Sequence, residues 1–547
     1  MTYQEVARKI SGRAFPYAFF DDYYTGGRVP SWEDNKRHSE GVSLLDAGYA
    51  MGKKAMGAEP MDFLKPLQPR MSFDTEALSK VGWDGFSYMG PHDIKYASNG
   101  VFGIDVVDKL LEKFGTTDTL GVLMTNSVFS AHLTQGGDHF FLDLSTLEGY
   151  EPIQGYAPLG GKAVFKQEGG RLRTVSLEYN QSKYSEFEDP KVAADFAASK
   201  LSGWRFAEKA IIASLLSMTN LVLHVKDLHL EIAAAFQAVS VDAFAADPTH
   251  PIRRLLDPFI HRSIQATNDN FKLLFEYKAA EFSLAPLPYD EQLRLIDEAI
   301  KERPLRLAEL DMENFGKIRN MAPGHSTLAA QTDPNAWGWR WHYRALTVQR
   351  LYDSMIDCWI NAHYGSEEDL KKDATLQKWW TSMIMHLPSL QRSTKEHPEW
   401  ASNELTSSAL KNVLRTLFVW LSWIHEDVGH AAASYVYNPV HTPMCVPKDG
   451  VGVPLRSWAF NVLAYRGFVF LHRAVLLDQP PEHWFSQPVC TGSWMFKTCQ
   501  PAVDDKKCFL DLQDALRTLG SNDTAFSECD KTGFYSCVDR VETAVSS

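Results

Sequence analysis

The sequence predicts a mainly α-helical protein with a small β-sheet in its N-terminal half. Apolar residues recur at three- and four-residue intervals from 189 onwards, which is the period of a helix that buries one face. The segments with this pattern are 191–240, 290–310, 343–363, 375–385, 404–436 and 457–477. In 139–150 and 160–179, apolar and polar residues instead alternate around Gly169 and Gly170, which is typical of a β-hairpin.

Composition and charge indicate which kinds of binding partner the protein can have. The chain has 547 residues, of which 45% are hydrophobic and 12% aromatic, so it can bury a large core. Its formal net charge of −13 argues against nucleic acid as a partner. No stretch of about eighteen apolar residues is free of charge, so we expect no spanning helix and at most peripheral membrane contact. The first residues lack the apolar core of a secretory signal, which favours a cytoplasmic protein.

The chain is predicted to form one domain, 1–547, because it contains neither an internal repeat nor a low-complexity linker. Within it we expect an irregular wrapping segment at 1–115 with a helical patch at 105–114, the small sheet at 116–180, and a helical core at 189–547. We expect a monomer.

Cysteine usage leaves two alternatives open. Of the seven cysteines, five crowd into about the last sixty residues, and their spacing matches no standard zinc pattern. These five are Cys490, Cys499, Cys508, Cys529 and Cys537. They are either free thiols or form one or two late disulfides, and the second alternative would suit a secreted protein.

Two histidines, His224 and His229, stand inside the apolar run LVLHVKDLHLEIAAAF at 221–236. Five residues turn an α-helix by about 140°, so both imidazoles face one ion only if the helix widens locally into a π-type turn. Neutral imidazoles in an apolar core bind first-row transition metals, and His430 of a downstream helix is the natural third ligand. The alternative is a set of buried histidines that hydrogen bond to the protein without a metal.

Asp227 and Glu231 lie on the same predicted helix as the two histidines. They either orient a ligating imidazole or form salt bridges near the helix edge, and we favour the salt bridges.

Several motifs resemble those of lipoxygenases. LQKWW at 376–380, followed by WLSWIHEDVGHAAASYVYNP at 420–439, resembles the family's LQxWW segment followed by WxxSxxHAAVNFGQYxY. HPIRRLLDPF at 250–259 is similar to HPxxxLLxPH, with Phe259 in place of the last His. GKAVFKQEGGRLRTVSLEY at 161–179 resembles LFxxxxxGxLxPIAIxL. The similarity runs from about residue 139 to the C-terminus.

The resemblance implies a large helical domain around a long central helix that holds non-haem iron, or alternatively manganese, without the family's usual N-terminal β-barrel. It implies a dioxygenase that inserts O2 into a polyunsaturated fatty acid or related polyene to give a hydroperoxide. Two rivals keep the fold: an enzyme repurposed for isomerisation or cyclisation, and an inactive relative that binds an apolar ligand.

The resemblance also implies metal ligands. His430 matches the HAA histidine, and the position of the family's weak Asn ligand falls on Ser434. The C-terminal carboxylate ligand would be that of Ser547. His425 begins a stretch similar to a metalloprotease HExxH, but the second His of that stretch comes one residue too late, so we set a protease aside.

Two registers of the central helix remain open. By spacing, His224 and His229 reproduce the family's HxxxxH pair. Counting from Trp204 instead places His224 on the second ligand, His229 on a non-ligand position and the first ligand on Thr219. In that register, Asn220 or a rotated His229 would have to replace the missing ligand. We favour His224, His229 and His430 as the three imidazole ligands.

Overall fold

The structure is a computed structural model. It describes most of 106–185, 201–260, 285–319, 339–429 and 441–450, with shorter pieces at 263, 267, 476–478, 490–491, 498–499, 506–522, 538, 541 and 544–545. The described part is mainly helical and carries one five-stranded antiparallel sheet, which confirms the predicted fold class. The predicted wrapping segment lies outside it up to residue 105.

The sheet is a meander in which each strand pairs with the next along the chain. Its strands are β1 (Leu133–Gly136), β2 (His139–Asp143), β3 (Lys162–Glu168), β4 (Arg171–Tyr179) and β5 (Ser182–Tyr184). The predicted hairpin is β3–β4, and Gly169 makes its turn with a φ of 57° that favours glycine. Phe140 pairs with Phe165 in register, and both rings are buried. The sheet therefore turns one apolar face to the helices.

Two short helices precede the sheet, α1 (Val106–Lys113) and α2 (Thr119–Asn126), and α1 confirms the predicted helical patch. Asp118 caps α2 by accepting a hydrogen bond from the Gly121 amide at 2.9 Å. The same carboxylate accepts from the amide and the hydroxyl of Thr174 in β4, each at 2.7 Å. A single buried carboxylate thus joins the first helices to the sheet.

One continuous helix forms the centre of the molecule. It begins as α3 (Gly203–Met218), continues as a π-helix (Thr219–Ala234) and ends as α4 (Ala235–Ala243). Every residue of the π-helix is buried. Within the described residues, Gly203–Ser240 is the one helix long and apolar enough to cross a membrane, but 94% of its apolar window is buried inside the protein. Its apolar surface is used as core.

Further helices surround the central one. They are α5 (Pro251–Ile260), α6 (Tyr289–Glu302), α7 (Leu307–Leu310), α8 (Met312–Ile318), α9 (Arg340–His363), α10 (Glu367–Lys372), α11 (Ala374–His386), α12 (Pro388–Glu396), α13 (Ser407–Val419) and α14 (Lys506–Asn522). The predicted helices at 290–310, 343–363 and 375–385 are confirmed, although a break at 303–306 divides the first. The predicted helix at 404–436 is confirmed from 407 to 429, and most of 457–477 lies outside the described residues.

Phe259, which stands where the lipoxygenase motif has a histidine, lies in an aromatic cluster. Its ring stacks on Phe418 of α13 with centroids 3.9 Å apart and meets Tyr352 of α9 edge-on at 5.5 Å. All three side chains are buried. This position therefore contributes apolar packing between α5, α9 and α13.

A disulfide joins Cys358 of α9 to Cys508 of α14, with a Cα–Cα distance of 5.8 Å. One of the late cysteines is thus oxidised, but its partner comes from outside the late group. Cys490 and Cys499 are direct register partners in a two-stranded ladder, β6 (Cys490–Thr491) with β7 (Thr498–Cys499). Cys529 and Cys537 lie outside the described residues.

Candidate metal centre

Three buried histidines meet in the core. His224 and His229 come from the π-helix, and His425 follows a second, five-residue π-helical turn (Trp420–Ile424) at the end of α13. The Nε2 atoms of the three rings lie 3.1 Å (His224–His229), 3.2 Å (His229–His425) and 3.3 Å (His224–His425) apart. The rings are tilted against one another rather than stacked. The three nitrogens therefore point at one common position.

The π-helix explains how a five-residue spacing serves one site. Its hydrogen bonds run from residue i to i+5, so residues five apart lie on the same side of the helix, whereas an α-helix would separate them by about 140°. The widening that the spacing of His224 and His229 required is present along Thr219–Ala234. π-helical turns are rare and concentrate at functional sites.

The separations suit a shared transition-metal ion. Bonds from imidazole nitrogen to a divalent metal are about 2.0–2.1 Å long, and three nitrogens 3.1–3.3 Å apart can all lie at that distance from one ion. Without an ion, the three Nε2 atoms have too few protons to form a hydrogen bond along every side of the triangle, so some nitrogen lone pairs would face one another. Among the described residues, these histidines are the group of potential ligands close enough to hold a metal.

The protonation state of His229 also favours metal binding. Burial lowers the pKa of His229 well below its ordinary value, and the neighbouring His224 and His425 lower it further. The ring is therefore neutral, as a metal ligand must be. On its other side, His229 Nδ1 lies 3.3 Å from the hydroxyl of Thr267.

His425 is the third histidine of the cluster, a position that the sequence analysis assigned to His430. His430 itself lies outside the described residues, so its assignment as a ligand stays a prediction. A signal for His425 was present in the sequence: Ser422 stands three residues before it, as in the SxxH part of the lipoxygenase motif. The residue three before His430 is Asp427. The sequence assignment followed the HAA motif at His430 and not the position of this serine.

Asn220 lies one turn before His224 on the π-helix, and its side chain is 1% exposed. Its Nδ2 atom is buried without a hydrogen-bond partner among the described residues. A buried N–H donor without a partner is costly, so this Nδ2 can donate to a further acceptor.

Ser434 and Ser547 lie outside the described residues. Close to the end of the chain, however, Val545 is fully buried, and the Val541 carbonyl accepts a hydrogen bond from the Leu476 amide at 2.7 Å. The last described residues are therefore part of the core.

Asp227 and Glu231 form salt bridges, as favoured from the sequence. Both bind Lys226 Nζ, at 2.6 Å and 3.1 Å, and the same ammonium donates to the Arg303 carbonyl at 2.8 Å. Arg392 adds a second cation on Glu231. Lys226 is fully buried, so three acceptors satisfy its three donors. This network fastens the central helix to the segment after α6.

Behind His425, Asp427 accepts a hydrogen bond from the Trp341 indole at 2.8 Å. Burial raises the pKa of this carboxyl to about 8. The helix that carries His425 is therefore joined to α9 by a hydrogen bond two residues after this histidine.

Two histidines of a long, widened central helix and a third from the helix after α13 form a buried cluster that could hold a metal ion. Comparison with solved structures specifies the fold. The chain is similar to a LOX variant crystallised anaerobically in complex with arachidonate (TM-score 0.61, 15% identity, 86% of this chain and 72% of that chain). It is also similar to coral 8R-lipoxygenase (TM-score 0.59, 14% identity, 81% and 67%) and to a calcium-dependent 11R-lipoxygenase (TM-score 0.61, 12% identity, 84% and 68%).

These similarities show that the chain has a lipoxygenase-like fold. No protein-family profile matches the chain. No curated protein sequence matches it either. The likeness therefore lies in the three-dimensional arrangement, and the identities of 12–15% concern the fold alone.

Proposed function

We propose that this protein is a lipoxygenase-like non-haem metal dioxygenase that inserts O2 into a polyunsaturated fatty acid or related polyene. The observation that carries the proposal is the triangle of Nε2 atoms, 3.1–3.3 Å apart, from His224, His229 and His425. Such a triangle inside a lipoxygenase-like fold is more specific than either feature alone.

In this proposal His224, His229 and His425 hold the metal. The geometry supports the register in which His224 and His229 are the central-helix pair. Asn220, buried one turn before His224, is a further candidate ligand, and so is the carboxylate of Ser547, since Val545 is buried two residues earlier. The earlier assignments of His430 and Ser434 stay predictions.

The proposed ion is iron, with manganese as the alternative. Imidazole ligands suit such first-row metals. When bound, a redox-active ion would supply the one-electron chemistry that removes a hydrogen atom between two double bonds and so allows O2 to add. The chain contributes three imidazoles, and the buried residues around them exclude water. The similar LOX structure in complex with arachidonate supports a fatty acid as the substrate class.

Metal analysis and an activity assay test this proposal together. Purified protein, reconstituted with Fe2+ or Mn2+ and desalted, should retain about one metal ion per chain. It should consume O2 and form conjugated dienes from linoleate or arachidonate. Protein that retains neither metal contradicts the dioxygenase assignment. Metal retention without diene formation from any polyene would favour a repurposed isomerase or cyclase.

The cellular setting is part of the proposal. Disulfides persist in oxidising compartments, so the Cys358–Cys508 bond supports the secreted alternative over a cytoplasmic location. The single domain, the monomer and the peripheral membrane contact remain predictions.

A further inference from the structure

The hydroxyl of Thr267 forms a short chain of hydrogen bonds behind the metal centre. Thr267 Oγ1 donates to the Ser263 carbonyl, four residues earlier, at 2.7 Å. The same oxygen lies 3.3 Å from Nδ1 of His229. Thr267 and Ser263 are both fully buried, so water does not compete for these contacts.

The direction of the hydrogen bonds follows from counting protons. A threonine hydroxyl has one proton, and its contact with the Ser263 carbonyl, at 2.7 Å, is much shorter than the 3.3 Å contact with Nδ1, so the proton lies on the bond to the carbonyl. Towards His229 the hydroxyl can therefore only accept, and the proton of the neutral imidazole lies on Nδ1. Nε2, the atom that faces His224 and His425, then carries the lone pair.

We propose that Thr267 is a positioning residue that holds His229 in the Nδ1–H tautomer and fixes its ring, so that Nε2 is free to bind the metal. This inference rests on the proposed metal centre. A metal-bound histidine commonly donates its second N–H to a polar partner, which sets both the tautomer and the ring orientation. Thr267 acts through His229 and does not touch the metal.

The test compares Thr267→Val, which keeps the shape but removes the hydroxyl, with Thr267→Ser, which keeps the hydroxyl. The affinity of the metal-free proteins for Mn2+ is measured by competition with a chelator. We expect Thr267→Val to raise the dissociation constant about 10–100-fold, since that is the usual effect of losing such a partner. Thr267→Ser should bind nearly as tightly as the wild type. Equal Mn2+ affinity of Thr267→Val and wild type would overturn the inference.

A second measurement keeps the inference separate from the proposed function. If the wild type itself binds no metal, the proposed function fails, but the tautomer of His229 in metal-free protein still tests Thr267. Selective ¹⁵N-histidine labelling, with His229→Gln for assignment, should show the Nδ1–H form in wild type and in Thr267→Ser. Thr267→Val should lose this preference, and an unchanged tautomer in Thr267→Val would refute the positioning role.

Discussion

His224 and His425 are separated by 201 positions in the chain, yet their Nε2 atoms lie 3.3 Å apart in the core. One comes from the central π-helix and the other from the helical turn after Trp420–Ile424, which follows α13. The three-histidine site therefore forms only after the two helices have packed together. Its presence requires that both halves of the helical core are correctly folded.

The third ligand can be identified by substitution. We expect His425→Ala to weaken metal binding more than about 100-fold, beyond the usual effect of losing an outer partner, because a direct ligand is removed. The matched variant is His430→Ala, five residues further on in the same motif. Metal content after reconstitution, measured by mass spectrometry, distinguishes them. Retention of metal by His425→Ala with loss in His430→Ala would restore the sequence-based assignment.

The buried salt-bridge network of Lys226 is predicted to be important for stability. Lys226→Met leaves Asp227 and Glu231 buried with one cation fewer, so we expect it to lower the free energy of unfolding by about 3–5 kcal/mol. The same substitution at the more exposed Lys371, which pairs with Glu404, should cost less than about 1 kcal/mol. Urea unfolding of both variants measures the difference. Similar losses in the two variants would mean that burial of the Lys226 network has no special effect.

The stability of the protein should depend on pH through Lys209. This side chain is buried and donates to the His441 carbonyl at 2.8 Å. Burial lowers its pKa from 10.5 to about 8. Between pH 8 and 10.5 the unfolded chain therefore binds one more proton than the folded protein, so stability rises with pH by up to about 1.4 kcal/mol per unit.

The variant Lys209→Met lacks this titration, so its stability relative to the wild type should fall steadily from pH 8 to pH 9.5. Urea unfolding at fixed temperature in the presence of EDTA measures this stability difference without interference from bound metal. A stability difference that stays constant over this range would show that Lys209 has an ordinary pKa.

The disulfide between α9 and α14 should contribute about 2–4 kcal/mol, since it closes a loop of 150 residues. Cys358→Ser and Cys508→Ser should therefore lower the unfolding temperature to similar extents, and the double variant should be no worse than either single one. Cys445→Ser, which alters a buried cysteine outside this disulfide, is the control. Non-reducing peptide mapping should recover the crosslinked pair from the wild type, and its absence would contradict the bond.

Much of the fold was predictable because apolar periodicity is a local property. It located strands β2, β3 and β4, the central helix, and helices α6, α7, α9, α11 and α13. His224 and His229 were also found this way, since both stand in one apolar run. The choice between His425 and His430 was different, because it depends on the π-helical turn at Trp420–Ile424, which sequence periodicity does not reveal. The partner of Cys508 likewise depends on which helices pack together in space.

The width of the central helix determines how the site would respond to a change in chain length. Deleting one residue between His224 and His229 would leave a four-residue spacing, which an ordinary α-helix brings to one side. The two imidazoles could therefore stay together. The cost would appear downstream, where α4 would rotate by about 100° and Ser240 would lose its hydrogen bond from the Trp379 indole. The packing of α4 against α11, more than the spacing of the ligands, thus fixes the number of residues in this helix.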